Sequence, residues 1–83
     1  MTAATITDQQ LDSWYLSGHA YKRIAVLIAR WARVQERGTA LPGDEFFAEQ
    51  LDRVASDSTY RRAKTLLADQ GVLYASSGPY MVA

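Results

Sequence analysis

The chain contains no cysteine, so no disulfide can staple it and no thiolate can hold a metal. Its single histidine, His19, cannot form a metal site alone. It has no excess charge, because nine basic residues balance nine acidic ones. A nucleic-acid-binding domain of this size usually carries surplus positive charge, since phosphate contacts supply most of the affinity. Any such function therefore has to rest on how the charges are distributed. No apolar run is long: the strongest, Ile24 to Ala29, is far too short to span a bilayer. The N-terminus lacks the basic start of a secretion signal. There is no glycine-rich phosphate loop and no acid–base constellation, so the usual parts of an enzyme site are missing. These absences lead to the expectation of a non-enzymatic, cytoplasmic protein with no cofactor, no bound metal and no membrane partner.

What is present amounts to one small domain. Its 83 residues leave no room for a second core or a separate ligand-sensing unit. A chain of this length buries about 60% of its unfolded surface, which is marginal unless packing is good or a partner helps. The charges are segregated. Lys22, Arg23, Arg30, Arg33 and Arg37 fall in one segment and Arg61, Arg62 and Lys64 in another, whereas Asp44 to Asp57 holds five acids against Arg53.

Residues Met1 to Thr5 are small and uncharged, and fraying is expected there. A helix then starts clearly. Thr7 as N-cap with Gln10 three residues on makes a capping box, Ile6 can close over Leu11 as a hydrophobic staple, and Asp8 suits the positive end of the helix dipole. Ser17-Gly18 should end it. Residues 1–18 thus form an N-terminal helical extension, and 19–83 form the core of the domain.

A second helix is predicted from His19 to Arg37, stopped by Gly38. Ala20, Tyr21, Ile24, Leu27, Ile28, Trp31 and Val34 form its apolar stripe, and its five cations share a sector roughly 100° wide on the opposite side. Those cations are either a solvated face or a surface for phosphates or an acidic partner. Thr39 to Pro42 is extended, because a residue before proline is pushed out of the helical region, and it could add a short strand to the later hairpin. Gly43 caps a short helix that ends near Leu51 and is buried by Phe46, Phe47, Ala48 and Leu51. Glu45 and Glu49 lie one turn apart, but no other acid–base group accompanies them, so a solvated face fits them better than a catalytic pair.

Asp52 to Ala55 is the expected turn. Ser56 caps the next helix, Asp57 to Gln70, which Gly71 ends. Tyr60, Ala63 and Leu67 face inward. Ser58, Arg61, Arg62 and Thr65 point outward near the N-terminal half, the half that enters a major groove in helix-turn-helix docking. From Val72 the pattern has period two, with two β-prone runs around Ser76-Ser77-Gly78-Pro79, which reads as a hairpin. Short helix, turn, longer helix and hairpin is the plan of a winged helix-turn-helix. The predicted class is therefore α+β, mainly α, with an extra N-terminal helix and a C-terminal β-hairpin wing.

Over LPGDEFFAEQL and STYRRAKTLLADQGVL the sequence resembles the winged helix DNA-binding domain of GntR-family bacterial repressors. Leu41-Pro42, Phe47 through Leu51, Thr59, Arg61-Arg62-Ala63 and Leu66 through Leu73 match that family in kind. The likeness covers about half the chain directly, and the helix from Tyr21 through Ile28 extends it. It implies a small sequence-specific DNA-binding protein, a transcriptional repressor or a phage or plasmid regulator, with no effector domain. The DNA-binding residues would be Ser56, Ser58, Thr59, Arg61, Arg62 and Thr65. The wing would offer Ser76, Ser77, Gly78 and Tyr80, and Arg30, Arg33 and Arg37 are candidate phosphate contacts. The N-terminal helix, with Trp14 and Tyr15, is a candidate homodimer contact. The chain departs from the family in a turn about two residues longer and without glycine. Asp57 stands where an arginine is usual, and the wing carries no lysine or arginine. Those departures fit the alternative, a winged helix that binds protein and has lost DNA binding.

Overall fold

The computed structural model describes residues 6–51 and 54–83. Met1 to Thr5, where fraying was expected, and Asp52-Arg53 of the expected turn lie outside the described residues. The elements run α1 (Asp8–Leu16), α2 (Ala20–Arg33), α3 (Asp44–Ala48), α4 (Asp57–Asp69), β1 (Leu73–Ala75) and β2 (Tyr80–Val82). The architecture is mainly helical α+β, with four helices and one antiparallel hairpin among the described residues. No helix among them is long and apolar enough to cross a membrane.

α1 begins where its caps dictate. Thr7 is extended and its hydroxyl accepts the Gln10 N–H at 3.1 Å, while Ile6 and Leu11 are both buried in the core. Trp14 is also buried, at 5% exposure. Its side chain belongs to the core, whereas Tyr15 and Leu16 are the large hydrophobic side chains that α1 leaves exposed.

α2 is the hub, packing against α1, α3 and α4. It ends at Arg33, four residues before the predicted Arg37, and Val34 is 81% exposed rather than part of the buried stripe. The reason is tertiary. Gly38 adopts φ +84 and donates to Val82 O at 2.8 Å, Val82 N donates to Thr39 O at 2.9 Å, and Leu41 N donates to Tyr80 O at 2.9 Å. Residues 34–37 must leave the helix for the chain to reverse and lay Thr39 to Leu41 along β2. The extended segment before Pro42 thus does pair with the hairpin, through an antiparallel bridge between Ala40 and Met81.

α3 is shorter than expected, ending at Ala48, after which Gln50 N and Leu51 N bond back three residues to Phe47 O and Ala48 O. Phe47 is fully buried, edge-on to Trp31 at 6.0 Å, whereas Phe46 is 44% exposed and Ala48 is exposed. A five-residue helix can turn only one face inward, so the expectation of several buried α3 side chains fails there.

α4 ends in a full Schellman arrangement. Val72 N donates to Leu67 O at 2.9 Å and Gly71 N to Ala68 O at 3.1 Å, with Gly71 at φ +78. Leu67 and Val72 are both buried, so the reversal delivers the chain directly into β1. The hairpin register pairs Leu73 with Val82, Tyr74 with Met81 and Ala75 with Tyr80. Gly71→Ala is expected to cost about 1–2 kcal/mol in chemical denaturation, because a Cβ is disfavoured at that φ. Gly78→Ala, at a position with normal φ and open space around it, should stay within about 0.5 kcal/mol.

Candidate functional site

The residues singled out on α4 do come together on one side of it. Asp57, Ser58, Arg61, Arg62 and Thr65 are all exposed and fall within a sector of about 140°, opposite the buried Tyr60, Ala63 and Leu67. Ser56 holds the N-terminus: its hydroxyl accepts the Thr59 N–H at 3.3 Å and lies 3.0 Å from Ser58 Oγ and 2.9 Å from Thr59 Oγ1. Three hydroxyls are therefore clustered at the start of the helix, where the dipole is positive. Thr65 uses its hydroxyl within the helix, donating to Arg61 O at 3.0 Å.

The two adjacent arginines have different surroundings. The Arg61 side chain is exposed and forms no hydrogen bond or ion pair with a described residue. It lines a cleft of about 530 Å³ between α4, the Leu41–Asp44 segment and the hairpin turn, together with Asp57, Gly78, Pro79 and Tyr80. Arg62 instead lies over the Tyr21 ring, its guanidinium carbon 4.0 Å from the centroid. At a partly solvated site such a contact is worth about 0.5–1 kcal/mol. Periodicity had assigned Tyr21 to the core stripe; it is half-buried and serves as a platform for a residue 41 positions later. No local signal relates the two. Lys64, the third cation of α4, is held by Asp44 at 2.6 Å.

In the hairpin turn Ser76, Ser77 and Gly78 are exposed, while Tyr80 is half-buried against the core.

The basic face of α2 is largely occupied by α1. Arg33 pairs with Asp8 and donates to Ile6 O at 2.8 Å, and Arg30 reaches Asp12 at 3.5 Å. Arg23 donates to Tyr15 O at 3.4 Å and lies 5.1 Å from the Tyr15 ring centroid. Arg37 stands apart on the loop after α2 and forms no bond with a described residue.

A second cleft, of about 540 Å³, lies between α3 and the start of α4 and is lined by Asp44, Glu45, Ala48, Leu51, Val54, Ala55, Asp57 and Tyr60. Tyr60 is 3% exposed, and its phenol oxygen has no hydrogen-bond partner. Burial, and then the charge of Asp44, raise the pKa of this phenol above its ordinary value, so it stays neutral. Among the described residues no cluster of three or more histidine, aspartate or glutamate side chains is placed to hold a metal ion.

No protein-family model, curated protein or solved structure matches this chain.

Arg33 holds the Asp8 carboxyl below the usual carboxylate range, first by hydrogen bonding and then by charge. The folded state therefore binds that proton more weakly than the unfolded chain. The pairing stabilises the fold above about pH 4, and the effect is lost as pH falls through and below the ordinary aspartate value. Asp8→Asn should lower the thermal midpoint at pH 7 and converge with the wild type near pH 2. A gap that stayed constant across that range would remove the charge from the account.

Proposed function

We propose that this chain is a winged helix-turn-helix domain, of the kind found in the GntR repressors that it resembles, and that it binds double-stranded DNA with α4 in the major groove. The observation that carries the reading is the outward face of α4. There an Arg61 side chain bonded to no described residue, a ring-supported Arg62 and a capped cluster of hydroxyls stand beside a cleft that continues to the hairpin turn. Arginine can pair bidentately with guanine or with phosphate, and serine and threonine hydroxyls can reach phosphate or base edges. In this reading Arg61 and Arg62 make the principal contacts, with Ser58 and Thr65 beside them. Ser76, Ser77 and the Gly78 backbone meet the flanking strand. Arg30 and Arg33 are left out, because their guanidinium groups hold α1. The biological role is that of a transcriptional repressor or a phage or plasmid regulator, working in the cytoplasm.

A second reading, a winged helix that binds protein, is favoured by a specific observation. Asp57 shares the exposed face and the cleft of Arg61, Lys64 is neutralised by Asp44, and residues 72–83 hold no cation. The positive surface of α4 is therefore confined to two side chains.

Titration of a labelled duplex at about 50 and about 200 mM salt separates the two readings. If about two to four phosphates are neutralised, log affinity should fall against log salt with a slope between about −1.8 and −3.6. Arg61→Ala should weaken binding about tenfold or more, and Arg61→Ala with Arg62→Ala should abolish it. Arg30→Ala should change it by less than about twofold, since that side chain faces α1. Wild-type protein that failed to bind duplex at the lower salt would reject the DNA reading in favour of the protein one.

A further inference from the structure

The two arginines of α4 leave the helix about 100° apart, so they face opposite flanks of it. Arg61 lines the cleft toward the hairpin turn and shares it with Asp57. Arg62 lines a different cleft, of about 420 Å³, between the first turn of α4 and the start of α2. Its walls are His19, Ala20, Tyr21, Thr59 and Arg62, and no carboxylate is among them. Three of these side chains stand in a row. The Arg62 guanidinium carbon is 4.0 Å from the Tyr21 ring centroid, and the His19 ring centroid is 6.1 Å from that of Tyr21, with the ring planes tilted by 39°. His19 and Arg62 are both exposed. A guanidinium lying over a ring keeps N–H groups at its edge for donation. Those of Arg62 are uncommitted, because its side chain forms no hydrogen bond or ion pair with a described residue.

The outermost line of α4 runs through Ser58 and Thr65, opposite the buried Tyr60, Ala63 and Leu67. With α4 in a major groove, that line meets base edges and the flanks of the helix meet the strands on either side. A guanidinium drawn sideways onto α2 does not extend along the outermost line. It faces the strand that passes over the start of α2. We propose that Arg62, His19 and Tyr21 form a phosphodiester-binding subsite. Arg62 donates its forked N–H groups to the oxygens of one DNA phosphate, and the His19 imidazole donates to the same group. Tyr21 is a positioning residue that holds the guanidinium in place before the strand arrives. The inference rests on the DNA reading and deepens it. Arg62 fixes the register of the domain on the duplex and carries no sequence information, which leaves discrimination between bases to Arg61 and the rest of the outer face.

Binding of the full chain to labelled duplexes of several unrelated sequences, measured between about 50 and about 200 mM salt, tests the assignment. Arg62→Ala should weaken binding about tenfold, by the same factor on every duplex. It should also make the slope of log affinity against log salt shallower by about 0.9, the loss of one phosphate contact. His19→Ala should weaken binding about two- to tenfold, again uniformly. Tyr21→Leu should weaken it about two- to fivefold with the salt slope intact, since the charge remains and only its placement is lost. Tyr21→Phe keeps the ring and should match the wild type. Thermal unfolding checks that each variant is folded, and Arg62→Ala alters an exposed side chain. An Arg62→Ala loss that differs between duplexes, or that leaves the salt slope unchanged, overturns the subsite while the DNA reading stands. Tyr21→Phe binding as weakly as Tyr21→Leu does the same to the positioning role of the ring. Wild-type protein that binds none of the duplexes at the lower salt rejects the DNA reading itself, and the subsite with it.

Discussion

The fold depends on burying α2 through more than half of its circumference. Ile24, Ile28, Ala32, Ala25, Ala29 and Val26 are all buried and together sweep about 200° of the helix surface. A single-sided amphipathic helix would bury only about half of that arc. The three alanines are what make the wide burial workable, since small side chains let neighbouring backbones approach closely. With helices packed around it, α2 fixes where α3 and α4 start, and the fully buried Phe47 is anchored edge-on against Trp31.

That arrangement decides what the cations are for. Seen as a helical wheel, α2 has a basic face to spare. In the folded chain α1 lies against that face, and the guanidinium groups of Arg23, Arg30 and Arg33 meet two carbonyls, a ring and two carboxylates. Exposed pairs of this kind contribute little individually, and the buried Leu11, Trp14 and Ile6 do most of the holding. The effect of the pairs is to orient α1 and to neutralise part of the positive charge on that face. Among the described residues Arg30, Arg33 and Lys64 are in ion pairs that join different elements, whereas the side chains of Arg61, beside the hairpin turn, and Arg37, on its loop, are in none.

Much of this was legible in the residues, and the misses have physical causes. The capping signals at Thr7 and Ser56 and the stop at Gly71 act within one turn, so sequence neighbours suffice to read them. The inward face of α4 follows from its period, and the pairing of Thr39 to Leu41 with the hairpin follows from what proline does to the residue before it. The end of α2 was misread because the glycine that looked like a helix stop belongs to a turn held by Val82, a partner 44 positions away. Val26 and the alanines were missed because periodicity identifies one buried stripe and cannot know that a second helix covers the next. Arg61 and Arg62 looked equivalent as neighbours; only the approach of α2 to α4 distinguishes them.

The stacking of Arg62 on Tyr21 has a consequence for how this surface meets any ligand. An arginine free in solvent samples many rotamers, and immobilising such a side chain on binding typically costs about 0.5–1.5 kcal/mol. Here part of that ordering is completed when the chain folds, because the ring fixes where the guanidinium plane lies before anything arrives. Arg62 is in effect a preset template, suited to selecting among shapes, while Arg61 next to it remains the adaptable member of the pair.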